Sequence, residues 1–146
     1  MTVAPLVALP ARHLRDGGPS AARGRRLLAV ALVAAAPLAG AQVIDIAWDG
    51  EGGFKREVRA EPGKFVELCG KLSPGTEVRW RFESDAATNF NVHYHVGKEV
   101  RFPVKEDGVR KSQGTLDVPG EQDYCWMWSN KGSRAATITV EMSKRS

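Results

Sequence analysis

Two short stretches carry side chains able to ligate a soft metal. His93 and His95 stand one residue apart in "NFNVHYHV" (Asn89 to Val96), and Cys125 and Met127 share that spacing in "YCWMWSN" (Tyr124 to Asn130). On a β-strand, residues i and i+2 project to one side roughly 6–7 Å apart, and neighbouring strands lie about 4.8 Å apart. If the two stretches are adjacent strands in register, His93, His95, Cys125 and Met127 form one surface cluster. Two imidazoles, a thiolate and a thioether favour copper over hard cations, and Cu(I) especially. The plainer alternative is a solvated polar face, since histidine and asparagine are common there. Cys125 also has a competing use. Cys69, in "KFVELCG", is the only other cysteine, and an exported domain with two cysteines is expected to pair them. A Cys69–Cys125 disulfide would leave His93, His95 and Met127 as a weaker ligand set.

The elements that must position these residues read as short strands. No stretch after residue 41 sustains a helical period over three turns. Turn signals recur instead: "DGEGG" at 49–53, "EPG" at 61–63, "SPG" at 73–75, "EDG" at 106–108, "VPG" at 118–120 and "SNKGS" at 129–133. Between them lie runs rich in aromatic and β-branched residues, the pattern of an antiparallel sandwich or barrel. Alternation assigns the faces. Val78, Trp80 and Phe82 oppose Arg79, Arg81 and Glu83; Phe90, Val92 and Tyr94 oppose Asn91, His93 and His95; Tyr124, Trp126 and Trp128 oppose Cys125 and Met127. The expected fold is an all-β antiparallel β-sandwich of seven to eight strands over residues 42–146, with the aromatic set inside. Trp48 is placed as a seal at the sandwich edge.

Residues 1–41 read as a signal peptide with an N-terminal extension. Arg23, Arg25 and Arg26 precede the apolar run "LLAVALVAAAPL" (Leu27 to Leu38) and the small residues Ala39 to Ala41, so cleavage is expected before Gln42. That run is too short for a span, which needs roughly 20 apolar residues. Five of the 21 basic residues and one of the 17 acidic ones belong to this leader, so residues 42–146 carry 16 of each. A formally neutral domain offers no basic stripe for nucleic acid or anionic lipid. The expected location is the periplasm or beyond.

Cupredoxins share the ligand types, but they place one histidine upstream and then Cys, His and Met along a single loop. Here both histidines come first and only Trp126 separates Cys125 from Met127, which argues against a blue-copper site. The chain's end resembles the last hairpin of GOLD-type (emp24-like) β-sandwich domains through Tyr124, Trp128, Asn130, a polar turn and the strand Thr137 to Val140. Asn130 would hold the turn by bonding nearby backbone. "FNVHYHVGKEV" resembles the middle strand and hairpin of small exported GOLD-like proteins. The resemblance implies a non-enzymatic module that binds proteins or lipids, without the coiled coil and transmembrane helix of the membrane-bound members.

An enzyme has little support: there is no G-x-S-x-G elbow, no H-E-x-x-H and no phosphate-cradling glycine loop, and His13 lies in the leader. The expectation is an exported, non-catalytic binding protein. It carries copper on the His-x-His and Cys-x-Met cluster or, alternatively, is a disulfide-stapled interaction module for a periplasmic protein or lipid.

Overall fold

The computed structural model describes residues 40–145. The expected leader lies outside them except for Gly40 and Ala41. Seven strands succeed one another: β1 (Gln42–Asp45), β2 (Gly53–Ala60), β3 (Phe65–Leu72), β4 (Glu77–Val96), β5 (Glu99–Asp117), β6 (Gln122–Ser129) and β7 (Ala136–Arg145). The all-β expectation and the strand number hold. Among the described residues no helix is long and apolar enough to cross a membrane.

β4 organises the rest. Its first half, Glu77 to Ser84, pairs with β7, and its second half, Asn89 to Tyr94, pairs with β6. β5 runs along its other edge through both halves. The sheet, ordered β1-β3-β6-β4-β7-β2, therefore bends over at β4 and closes its inner faces on each other. The bend falls at Ser84, Asp85, Ala86 and Ala87, where the β4–β5 register shifts. β4 leaves its register with β5 after Glu83 and resumes it at Thr88, and the small side chains between leave room for the turn. Asp85 pins the bend by accepting from the Thr137 N–H at 2.9 Å and by pairing with Arg134. The Thr137 hydrogen bond and the Arg134 charge hold the Asp85 carboxyl below the usual carboxylate range.

Two sequence expectations change here. "EVRWRF" and "NFNVHYHV" are parts of one strand rather than two. "EDG" at 106–108 is a bulge within β5 rather than a turn: Gly108 takes a φ of 68°, and its N–H donates to Asn89 Oδ1 at 3.1 Å. A bulge adds local twist, which lets β5 follow β4 around the bend. The sheet also contains one parallel pair, β1 with β3. β2, between them in sequence, lies in the other half of the sheet, so the chain re-enters beside β1 in the same direction.

Alternation predicted most of the core; towards the end of β4 it fails, where Tyr94 is half-buried and Val96, next in the same apolar set, is exposed. Trp126, Trp128, Tyr124, Phe90, Val78, Val92, Ile138 and Val140 are buried. The two halves meet through aromatic rings, with Phe82 edge-on to Trp128 at 5.4 Å and 4.7 Å from Phe90. Trp48 packs against this core beside Phe54 at 6.3 Å, the sealing position expected for it.

Candidate functional site

β3, β6 and β4 are neighbours, and register decides what meets on their outer face. Cys69 and His93 both face Cys125, from opposite sides of β6, while Glu67 and Asn91 both face Met127. His95 comes next on the same face of β4, opposite Val100 of β5. The four residues picked from the sequence therefore do share one face, as expected if the strands paired.

Their states differ from the expectation. Cys125 is joined to Cys69, with Cα atoms 4.1 Å apart, so the disulfide alternative is the one realised and Cys125 offers no thiolate. Direct cross-strand register brings the two β-carbons within bridging range. The cluster is also less open than a surface patch. His93 and Cys125 are each 8% exposed, whereas His95 is exposed and Met127 half-buried. The cover comes from side chains that reach across β6. Glu67 from β3 and His93 from β4 are two strands apart, yet Oε2 and Nε2 stand only 3.7 Å apart. The Phe102 ring of β5 lies 5.9 Å from the His93 ring, and His95 sits edge-on to it at 5.6 Å.

The electrostatics of this small enclosure are unusual. His93 Nδ1 lies 2.9 Å from Asn91 Oδ1. The amide oxygen can only accept, so Nδ1 carries the proton and, in the neutral ring, Nε2 presents its lone pair to Glu67. Burial pushes the His93 imidazolium down, with help from the nearby His95. Burial likewise pushes the Glu67 carboxyl up, with His95 opposing. With His93 neutral and Glu67 ionised, two lone-pair atoms face each other with no hydrogen between them. That arrangement suits a shared proton or a cation. Ligand atoms of Glu67, His93 and Cys125 all lie within 4.8 Å of one another.

Glu67 and Asn91 were missed in the sequence, although each sits two residues from a residue already marked. The signals were E-x-C and N-x-H. They escaped because nothing local shows that β3 and β4 flank the same strand.

The surroundings of the cluster are apolar for an outer face. The large apolar side chains exposed among the described residues are Val43, Val96, Val100 and Phe102. Val43 lies beside Glu67, and the other three occupy the free end of the β4–β5 hairpin, closed at Gly97 and Lys98. The outer face of the other half is charged and self-paired, with Lys55 and Arg81 both on Glu141 and Arg79 on Glu77.

No family model matches the chain, and no curated protein matches it. Among solved structures it is similar to PliG of Aeromonas hydrophila, a periplasmic lysozyme inhibitor of g-type lysozyme. The TM-score is 0.59 at 14% identity, over 73% of this chain and all of that one (100%). A mutant of the Escherichia coli PliG matches at TM-score 0.51 and 6% identity, over 73% and 100% of the two chains. Salmonella Typhimurium PliG matches at 0.50 and 9%, over 71% and 98%. At such identities the likeness establishes the fold. The resemblance to GOLD-type domains rests on the two sequence segments that suggested it, and none of these structures is one.

Proposed function

We propose that the chain is an exported, non-catalytic binding domain that engages a partner protein through the free end of the β4–β5 hairpin and the adjoining outer face. The observation that carries this reading is the uneven distribution of exposed apolar side chains. They gather on one outer face and hairpin end, around a braced disulfide, while the opposite face is charged and satisfied. Exposed apolar side chains grouped at one place, as Val96, Val100 and Phe102 are at the hairpin end, mark interaction sites, and an aromatic such as Phe102 can anchor one. A GOLD-type relationship would lead to the same class of function.

A g-type lysozyme is the first partner to test, because the three PliG structures that share the fold are inhibitors of that enzyme. The purified chain is expected to inhibit a purified g-type lysozyme. Phe102→Asp is expected to weaken inhibition at least about tenfold, as loss of a single hot spot does, without changing the melting temperature. No inhibition at large molar excess removes lysozyme as the partner. Inhibition that survives Phe102→Asp removes the surface.

Copper binding is a second reading, favoured by the orientation of His93. Its Nδ1 bond to Asn91 leaves Nε2 free, with His95 adjacent and Met127 one register step away. In the disulfide-bonded chain the ligands would be His93, His95 and Met127. Copper uptake by that chain, measured against a competing chelator, should disappear in the His93→Ala/His95→Ala double variant. Uptake equal to the parent's would end this reading.

A further inference from the structure

We propose that reduction of the Cys69–Cys125 disulfide uncovers a divalent-metal site whose four ligands are Cys69, Cys125, His93 and Glu67, and that zinc is the ion suited to it. This goes beyond partner binding. It is also separate from the copper reading, which concerns the disulfide-bonded chain and draws on His95 and Met127.

The argument starts from where the donors come from. Cys125 on β6 is flanked directly by Cys69 on β3 and by His93 on β4, and Glu67 reaches over from β3 to meet His93 above it. Three adjacent strands thus aim four ligand-bearing side chains at one point. Two thiolates, an imidazole and a carboxylate are zinc's ordinary partners, arranged tetrahedrally at about 2.0–2.3 Å. The non-cysteine donors are already placed with Cys125 inside a 4.8 Å cluster, so ordinary side-chain rotation suffices to close on an ion.

His93 has the outer support that metal-bound histidines require. Its Nδ1–H is held by Asn91 Oδ1 at 2.9 Å, which fixes the tautomer and aims Nε2 inward. Nε2 and the Glu67 carboxyl oxygen stand 3.7 Å apart, a spacing that two ligands of one ion can hold. What keeps the site closed is the disulfide, because bridged sulfurs carry no charge and cannot both turn towards an ion.

Opening it needs a dithiol reductant of the thioredoxin class. Its thiolate attacks the sulfur of Cys69, the more accessible partner, and the S–S bond breaks to release Cys125 as a thiolate. The reductant's second thiolate then displaces Cys69 from the mixed disulfide. The reductant leaves as a disulfide, two electrons having passed to the chain. The two cysteine thiols formed on protonation give up two protons to solvent when one divalent ion binds.

The test is anaerobic. The chain is reduced with a phosphine, freed of reductant and titrated with Co²⁺ and then Zn²⁺, beside the disulfide-bonded chain. One cobalt per reduced chain is expected, with a thiolate-to-cobalt charge-transfer band and tetrahedral d–d bands that zinc bleaches. The disulfide-bonded chain should show neither. His93→Ala and Glu67→Gln should each weaken zinc at least about tenfold, as loss of even a supporting group does, while His95→Ala should not. Absence of the charge-transfer band overturns the proposal, as does a band and affinity unchanged in His93→Ala and Glu67→Gln. If the reduced chain unfolds, recovery of its β-strand circular dichroism on adding zinc supports the site. A chain that stays unfolded with zinc present overturns it.

Discussion

Reduction of the Cys69–Cys125 disulfide in the presence of a chelator is expected to cost the fold about 4 kcal/mol. The bridge spans 56 residues, and closing a loop of that length removes about this much free energy from the unfolded ensemble in the chain-entropy treatment. The contacts around it are not what is lost. Leu68 and Trp126, flanking the bridge, remain buried against the core, and the β3–β6 ladder continues on both sides of the cysteines. The effect therefore acts mainly on the unfolded chain. For a domain of this size it amounts to a fall in melting temperature of roughly 15–30 °C. Thermal melts of the chain with and without reductant, and of the Cys69→Ser/Cys125→Ser double variant, measure it. Equal melting temperatures would show that the bridge is not formed or contributes nothing. A reduced chain that regains stability on adding zinc would tie this prediction to the metal site. The double variant should regain none.

Asn130→Ala should destabilise by about 3 kcal/mol, the cost of leaving two or three buried backbone groups without partners. Asn130 is 1% exposed. Its Nδ2 donates to the carbonyls of Ala60 and Arg134 at 2.9 and 2.8 Å, and its Oδ1 accepts from the Gly132 N–H at 2.8 Å. Its backbone adds bonds to Gly63 and Lys64. The side chain thus ties the end of β2 to the β6–β7 turn, and the backbone of the same residue joins the turn before β3. Asn130→Asp keeps the acceptor but loses both donors and buries a charge, so it should be no milder. Lys131→Ala, at an exposed neighbour, should lie within about 0.5 kcal/mol of the parent. Urea midpoints of the three variants decide the matter. A loss below about 1 kcal/mol for Asn130→Ala would mean that water replaces the side chain's bonds and that the residue is not the tie described.

Asn130 also shows how far sequence reading reaches. The GOLD-type resemblance, together with the turn signal "SNKGS", marked it as a turn-holding residue, and that local role is what the structure contains. Its bond to Ala60, 70 residues away, could not be read the same way. The same division runs through the site. Alternation placed His93, His95, Cys125 and Met127 on faces away from the aromatic core, because a strand's side chains alternate whatever its neighbours are. It also marked Trp80, Trp126 and Trp128 as core, and composition after residue 41 settled the all-β class.

Tertiary structure decided the rest. That β6 lies between β3 and β4 makes Cys69 and His93 flank the same sulfur and lets Glu67 cover it. That β4 continues through Ser84 to Ala87 turns two expected strands into one shared by both halves of the sheet. It also decides that His93 is buried while His95, two residues on along the same face, is not. The physical reason is one of range. Period-2 patterning is a property of a strand by itself, whereas strand order and register arise from packing between segments far apart in the chain, and several pairings would satisfy the same alternation.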